Sequence, residues 1–343
     1  MIVRGNKPGQ RRNRELNGGV PDGWARIKPK ILQNDRLEVP GNIKLFAVIS
    51  TWNDADIIRA SIQNCYLNGC ERVYILDNDS SDKTQQVAKF AGATDIISYP
   101  TKVYDDDLRI RYQNGIVQIV TEEEKLPCVW WMVLDADEFP TTRNGEKIVD
   151  YLSYLNPKIN TVGCDFIDLY PIRKKYYQRG KHPALCMDHG VWRRGGVKRY
   201  CQCGHWKHSL IKFNKGNWNA AHFRGNHGLA VERPKREILF ESTSDLVFFH
   251  APIRHPNDTY KRLQLLCGTG RNEWDDQVTN NQGAVKRWKC LDAIYAEKWN
   301  EVEYPHSQVY GRPVVGLALY PWRVLAPDLI IQGDSENVPS QES

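Results

Sequence analysis

No stretch of this 343-residue chain approaches the roughly 20 consecutive apolar residues that a membrane-spanning helix needs. Met1 to Arg14 is polar and basic and lacks an apolar h-region, so no secretory signal is expected and a cytoplasmic location is the default reading. No internal repeat is present. Nine cysteines is an odd count, and without an export signal they read as mostly reduced thiols. Acidic residues are scarce in two places: residues 1–30 hold eight Lys/Arg against two acids, and residues 171–215 hold twelve against Asp188 alone. Of the totals of 47 basic and 41 acidic residues, 27 and 38 remain elsewhere, so the rest of the chain is acidic. Such segregation suggests an anionic partner for the basic segments; the alternative is a solvated surface or a phosphate-facing rim.

What is present reads as a globular chain, 41% hydrophobic and 26% charged, long enough for one large or two ordinary domains. Residues 1–41, rich in Gly, Pro, Asn and Arg, form a basic N-terminal arm. Buried strands are expected at Ile43–Ser50, Arg72–Leu76, Ile96–Tyr99 and Cys128–Leu134. Between them fall a helix capped by Asp54 and running to about Leu67, another carrying Val87, Phe90 and Ala91, and a third from Leu108 to Thr121. Alternating strands and helices imply an α/β fold with an open, doubly wound, mostly parallel sheet. Its ligands belong at the carboxyl ends of the strands, where Thr51–Asp54 and Asp77–Asp82 fall. Asp245–Phe249 is strand-like, a helical pattern follows His250 to about Trp299, and the polar tail at 332–343 is expected to be disordered.

The most hydrophobic strand, Cys128–Leu134, runs straight into Asp135-Ala-Asp-Glu-Phe139. Alternation along a strand puts Asp135 and Asp137 on one side, converging just past the sheet edge. Two hard oxygen ligands there suit Mn²⁺ or Mg²⁺, which would screen a diphosphate as it leaves. The bland reading is a solvent-facing acidic turn. Asp77-Asn-Asp-Ser-Ser-Asp82 could grip a nucleoside, although capping of the next helix explains the same residues. His250, after Val-Phe-Phe, reads from its surroundings as a partly buried structural histidine.

Phe46-Ala-Val-Ile-Ser-Thr-Trp-Asn-Asp54, Tyr74-Ile-Leu-Asp-Asn-Asp-Ser-Ser-Asp-Lys-Thr84 and Val133-Leu-Asp-Ala-Asp-Glu-Phe139 together resemble the family 2 glycosyltransferases of GT-A fold. The similarity is to a branch with an Asp-x-Asp-Glu-Phe metal motif and a downstream His-x-Pro-x-Arg, here His250-Ala-Pro-Ile-Arg254. It covers residues 43–140 and, by one motif, 245–265. The resemblance implies that Thr51, Trp52 and Asp54 line a base pocket and that Asp77 contacts the base, with Asp79 and Asp82 in the same loop. Asn78 stands where relatives often carry an acid, which leaves the nucleotide open. Arg111 and Gln113 resemble an Arg/Gln pair ahead of the metal motif, with Arg111 directed at the diphosphate. Asp135, Asp137 and His250 would hold the metal, Asp137 most directly, and Arg254 would balance phosphate charge.

An inverting enzyme also needs a carboxylate base for its acceptor hydroxyl. Candidates are Asp165, Asp168, Asp188, Glu232 and Asp245, from which Asp188 and Glu232 join Asp137 as the expected catalytic set. Residues 171–218 interleave Arg and Lys with Tyr176, Tyr177, Trp192, Tyr200, Trp206 and Trp218, which suits an anionic acceptor such as an acidic glycan, a phospholipid headgroup or modified DNA. The alternative is a packed lid. Cys201, Cys203, His205 and His208 lack the usual zinc spacing and read as buried thiols and surface histidines, with zinc as the alternative.

The resulting expectation is a catalytic domain over 42–260, with a nucleotide-sugar half at 42–140 and an acceptor half at 141–260, then a helical segment over 261–331. It would move a sugar from a nucleotide-sugar donor, for example a UDP-sugar, to a hydroxyl acceptor, expected to be a glycan. Competing readings are a nucleic-acid-directed sugar transferase and a non-catalytic sugar- or nucleotide-binding module. A nucleotidyltransferase ranks low, because no Gly-rich phosphate loop follows Ser50.

Overall fold

Alternating side chains along three apolar strands give this chain a sheet with two buried faces. A computed structural model describes residues 24–26, 30–31, 37–99, 105–142, 144–171, 174–187, 190–192, 207–215, 222–223, 229–232, 239–268, 291–296 and 298. The first half comprises β1 (Trp24–Arg26), β2 (Lys30–Ile31), β3 (Leu45–Thr51), α1 (Ile58–Leu67), β4 (Arg72–Asp77), α2 (Thr84–Phe90), β5 (Asp95–Ser98), α3 (Asp106–Glu123) and β6 (Cys128–Asp135). There follow β7 (Glu138–Thr142), α4 (Ile148–Ser153), β8 (Thr161–Leu169), α5 (Pro183–Cys186), β9 (Gly190–Trp192) and β10 (Lys207–Asn214). The last described elements are β11 (His222–Phe223), β12 (Leu229–Glu232), β13 (Leu239–His250) and α6 (Pro256–Gly268).

The main sheet has the order β2-β13-β8-β10-β6-β3-β4-β5, with β7 also on β13 and β9 on β8. Its faces follow the period of two. Leu45, Ala47 and Ile49 of β3, Val73 and Ile75 of β4, and Trp130, Met132 and Leu134 of β6 share one core with Ile58 and Ile62 of α1 and Ala88 of α2. Phe46, Val48, Tyr74, Leu76, Trp131 and Val133 point the other way and pack with Ile116, Val117 and Val120 of α3. The chain therefore covers one face on the way out through β3, β4 and β5. It returns over the other face through α3 and adds β6 on the far side of β3. The point at which strand order reverses lies between β3 and β6.

The pairs β6-β3-β4-β5 are parallel, as expected. The second half differs, since β10 is antiparallel to both β6 and β8, and β7 is antiparallel to β13. The sheet is thus mixed, with its doubly wound parallel part confined to 45–135. The helix after β3 starts at Ile58 and has no side-chain cap; Asp54 turns inward instead, for reasons given below. Gly69 closes α1 at φ +86°, where an added Cβ would lie 2.2 Å from Val149 of α4, so the site demands glycine. No described helix is long and apolar enough to cross a membrane.

At the amino ends of β3 and β4, the buried Glu124 carboxylate binds Lys44 and Arg72, both at 2.8 Å. Burial pushes its pKa up, but Lys44 and Arg72 outweigh this and hold it below the ordinary 4.5. A depressed folded-state pKa stabilises above the unfolded value, and that stability is lost as pH falls through the folded one. Glu124→Gln is therefore expected to cost about 1 kcal/mol at pH 7, given the partial exposure of both cations. Urea melts of the two proteins should converge as pH falls below the ordinary carboxylate range, through the depressed pKa of Glu124.

Candidate active site

Open α/β sheets bind ligands where strand order reverses, beyond the carboxyl ends of the strands. Here that crevice lies between Ser50 of β3 and Asp135 of β6, which are partners in register. Arg109, on the first turn of α3 and buried, reaches into it: Nη1 is 3.3 Å from Ser50 Oγ and 3.8 Å from Asp135 Oδ1. The family resemblance implies Arg111 in this role. Two residues turn a helix by about 200°, and Arg111 is exposed on the outer side of α3, beside an apolar groove with Tyr74, Ile97 and Tyr112. Gln113, one turn on from Arg109, is fully buried, and neither of its amide atoms has a hydrogen-bond partner.

Asp135 and Asp137 do not converge as alternation predicts. The strand ends at Asp135, and Ala136-Asp137 form a turn before β7, so the period of two stops between them. Asp135 keeps a part-exposed side chain beside Arg109, while Asp137 is 1% exposed. Glu138 folds back to accept the Asp135 N–H at 2.9 Å.

Asp137 instead faces β13. The antiparallel register sets His250 against Glu138, and the Ala251 N–H donates to the Asp137 carbonyl at 2.9 Å. On its other side β13 runs parallel to β8 and sets His250 against Asp168. The result is a buried string: Asp168 Oδ1 lies 2.5 Å from His250 Nδ1, and His250 Nε2 lies 3.5 Å from Asp137 Oδ1. A buried carboxylate on Nδ1 fixes the ring and presents Nε2 to Asp137. Asp168, weighed from sequence as a base, is thus the partner of His250.

Behind Asp137 sit two guanidiniums. Arg254 is fully buried, with Nη2 at 2.8 Å from Asp54 Oδ1, Nη1 at 2.6 Å from Asp56 Oδ1 and Nη2 at 3.5 Å from Asp137 Oδ2. Arg262 of α6, which motif reasoning did not single out, puts Nε at 3.2 Å from Asp54 Oδ1 and Nη2 at 3.1 Å from Asp137 Oδ2. This explains why Asp54 does not cap α1. One of its oxygens serves the arginines, and the other accepts from Thr51 Oγ1 and Trp52 N, both at 3.1 Å. Arg254, expected to face phosphate, is the counter-ion of Asp54 and Asp56. Burial pushes the Asp137 pKa up, but Arg262, His250 and Arg254 prevail and hold it well below the ordinary carboxylate range. Burial raises that of Asp56.

The loop after β4 is organised by Asp77, which is fully buried. It accepts from Ser80 N at 2.9 Å, Ser80 Oγ at 2.5 Å and Gln85 Nε2 at 2.6 Å. Asp79 is exposed beside it at φ +52°. Thr51 is buried and Trp52 half-buried at the end of β3. Asp188, Cys201, Cys203 and His205 lie outside the described residues, as does most of the basic insert. The side chains of Glu232, His208, Asp165 and Asp245 do too.

A divalent cation fits part of this arrangement. Both Asp137 oxygens are buried and accept no hydrogen bond of acceptable geometry, despite the nearby guanidiniums. Four carboxylates (Asp54, Asp56, Asp137 and Asp168) meet two guanidiniums and one imidazole, so the buried cluster has room for positive charge. Two ligands at about 2.1 Å from one octahedral ion stand about 3 Å apart, near the separation of Asp137 Oδ1 and His250 Nε2. Among the described residues no group of three acidic, His or Cys side chains is assembled for a metal, so Asp135 is not brought into one cluster with this pair.

No family model matches the chain, and no curated protein matches it. Solved structures similar to part of it include glucosyl-3-phosphoglycerate synthase from Mycobacterium tuberculosis in complex with Mn²⁺, UDP and glucosyl-3-phosphoglycerate. That match has 16% identity and a TM-score of 0.26, and covers 36% of this chain and 44% of that one. This chain thus spans less than half of that enzyme's length. A structure described as a mycobacterial protein matches with 14% identity and a TM-score of 0.37, over 67% of this chain and 76% of that one.

Proposed function

We propose that this chain is a GT-A glycosyltransferase that uses Mn²⁺ or Mg²⁺ to move a sugar from a nucleotide-sugar donor to a hydroxyl acceptor. One observation carries the reading: a buried carboxylate without hydrogen bonds, Asp137, faces a histidine oriented by Asp168, next to the crevice where strand order reverses. Asp137 and His250 would hold the cation, with Asp135 at the crevice. A bound divalent cation there supplies positive charge to a departing diphosphate. The chain's own part is to orient and to neutralise. Arg109 offers guanidinium donors for phosphate oxygens at the mouth of the crevice, and Asp77 and Asp54 hold the two loops that would frame the nucleoside. Arg254 and Arg262 keep Asp137 ionised without occupying both of its oxygens.

The test is thermal stability against UDP, GDP, ADP and their sugar conjugates, with and without Mn²⁺. A ligand present at a hundred times its Kd and bound only by the folded state adds about 2.7 kcal/mol. One nucleotide should stabilise the protein, only with metal. No nucleotide response at any metal concentration would sink the proposal. In the same assay Asp168→Asn is expected to weaken Mn²⁺ binding by about 10–100-fold, the usual cost of losing a carboxylate that orients a histidine ligand.

A further inference from the structure

The outer side of α3 carries more apolar surface than the described part of this chain covers. Arg109 faces the crevice, whereas Leu108, Tyr112, Ile116 and Ile119 recur at helical spacing on the side turned towards β5. Tyr112 is 39% exposed and Ile119 60%. With Tyr74 and Ile97 they line a groove of about 540 Å³, to which Asp95 and Arg111 add one charge of each sign. Gly115 sits on the same groove in mid-helix, and an added Cβ there would meet nothing within 4 Å. Glycine weakens a helix interior, and no described neighbour calls for it at this position. It leaves the helix backbone open to close approach from outside.

Beside this groove β5 forms the edge of the sheet. Among the described residues it pairs with β4 alone, which leaves a row of backbone N–H and C=O groups on its other side open to a further strand. An apolar groove flanked by an open strand edge suits protein, not a small polar ligand. Which protein is decided by the charges. Asp95 begins β5, accepting from its neighbour Ile96 N at 2.8 Å, and Arg111 belongs to the opposite end of the strand. Tyr112, next to Arg111 on α3, has its ring 5.7 Å from that of Tyr99, just past the carboxyl end of β5. Among the described residues neither Asp95 nor Arg111 has an ion-pair partner. In an antiparallel pair, residues directly opposite each other point to the same face of the sheet. Two β5 strands paired about a two-fold axis through Ile97 therefore set Asp95 of each copy opposite Tyr99 of the other, at the Arg111 end. Symmetry makes the contact twice. A foreign strand could use the same edge, but a second copy necessarily brings the matching apolar stripe and the opposite charge at both ends.

We infer that the edge of β5 and the outer face of α3 form a two-fold interface with a second copy of this chain, with Asp95 of each copy paired to Arg111 of the other. The sheet then runs on through both copies. The crevice between β3 and β6 lies two strands in from this edge and stays open in each.

Sedimentation equilibrium of the full chain at low salt, from about 1 to about 100 μM, tests this. The contact is small, so a dimer with a Kd of about 10 μM is expected. Asp95→Lys and Arg111→Glu alter two exposed positions and should keep the melting temperature. Each alone sets like charges against each other twice and should weaken self-association by about tenfold or more. An equimolar mixture of the two variants should regain the wild-type affinity, because in the mixed dimer one contact joins the two new side chains and the other joins the two native ones. A chain still monomeric at about 100 μM would overturn the inference and leave the groove to an occupant other than this chain. Single variants that dimerise as tightly as wild type, or a mixture that associates no better than its components, would put self-association on another face and overturn it too.

Discussion

Asp137→Asn is expected to lower kcat/KM for sugar transfer by about 10³-fold or more, because a metal's stabilisation of transition-state charge is worth several kcal/mol. The change is nearly isosteric, and an amide is a poor replacement for an anionic ligand of a hard cation. Mn²⁺ added at a hundred times the wild-type requirement should not restore the rate. Metal-dependent nucleotide stabilisation should disappear with it. The variant also leaves Arg262 and Arg254 with one carboxylate fewer, so its melting temperature should fall. Activity must therefore be compared well below the midpoint of the variant. A rate within tenfold of wild type, measured on folded protein, would remove Asp137 from the reaction.

The parallel half of the sheet was legible because β3, β4 and β6 are apolar on both faces and are separated by helix-length segments. Continuous hydrophobic runs of that length suit strands buried on both sides, and α1, α2 and α3 supply the two covers. The second half was legible only at Asp245–Phe249, which falls within β13; β8 and β10 were missed, and their pairing is set by partners distant in sequence. Within the site, legibility followed sequence distance. Asp135, Asp137 and His250 announce themselves by motif, and the inward face of α3 could have corrected Arg111 to Arg109. Arg109, Gln113, Ile116, Val117 and Val120 share the buried helical spacing, and Arg111 does not. No local signal ties Asp168 to His250, 82 residues away, or Arg254 to Asp54, 200 residues away. Those pairs are set by the register of β8 with β13 and by the loop leading from β13 into α6.

The largest effect on stability is expected at Arg254. Burial opposes its charge, and Asp56, Asp54 and Asp137 outweigh that opposition and keep the guanidinium protonated. Arg254→Met would strand the carboxylates of Asp54 and Asp56 in the interior, with Arg262 reaching only Asp54. Breaking a buried pair by removing one partner costs about 3–5 kcal/mol, whereas replacing the whole pair with apolar groups is often neutral. Urea denaturation of Arg254→Met should therefore show a loss of that size, and adding Asp56→Leu should restore part of it. Additive losses in the double variant would mean that the two side chains are not coupled. The restored protein should still bind metal poorly, since Arg254 also neutralises Asp137 from behind and ties the end of β13, where His250 sits, to the loop after β3. Stability and metal affinity would then be separated by one compensating substitution, which a purely structural arginine would not allow.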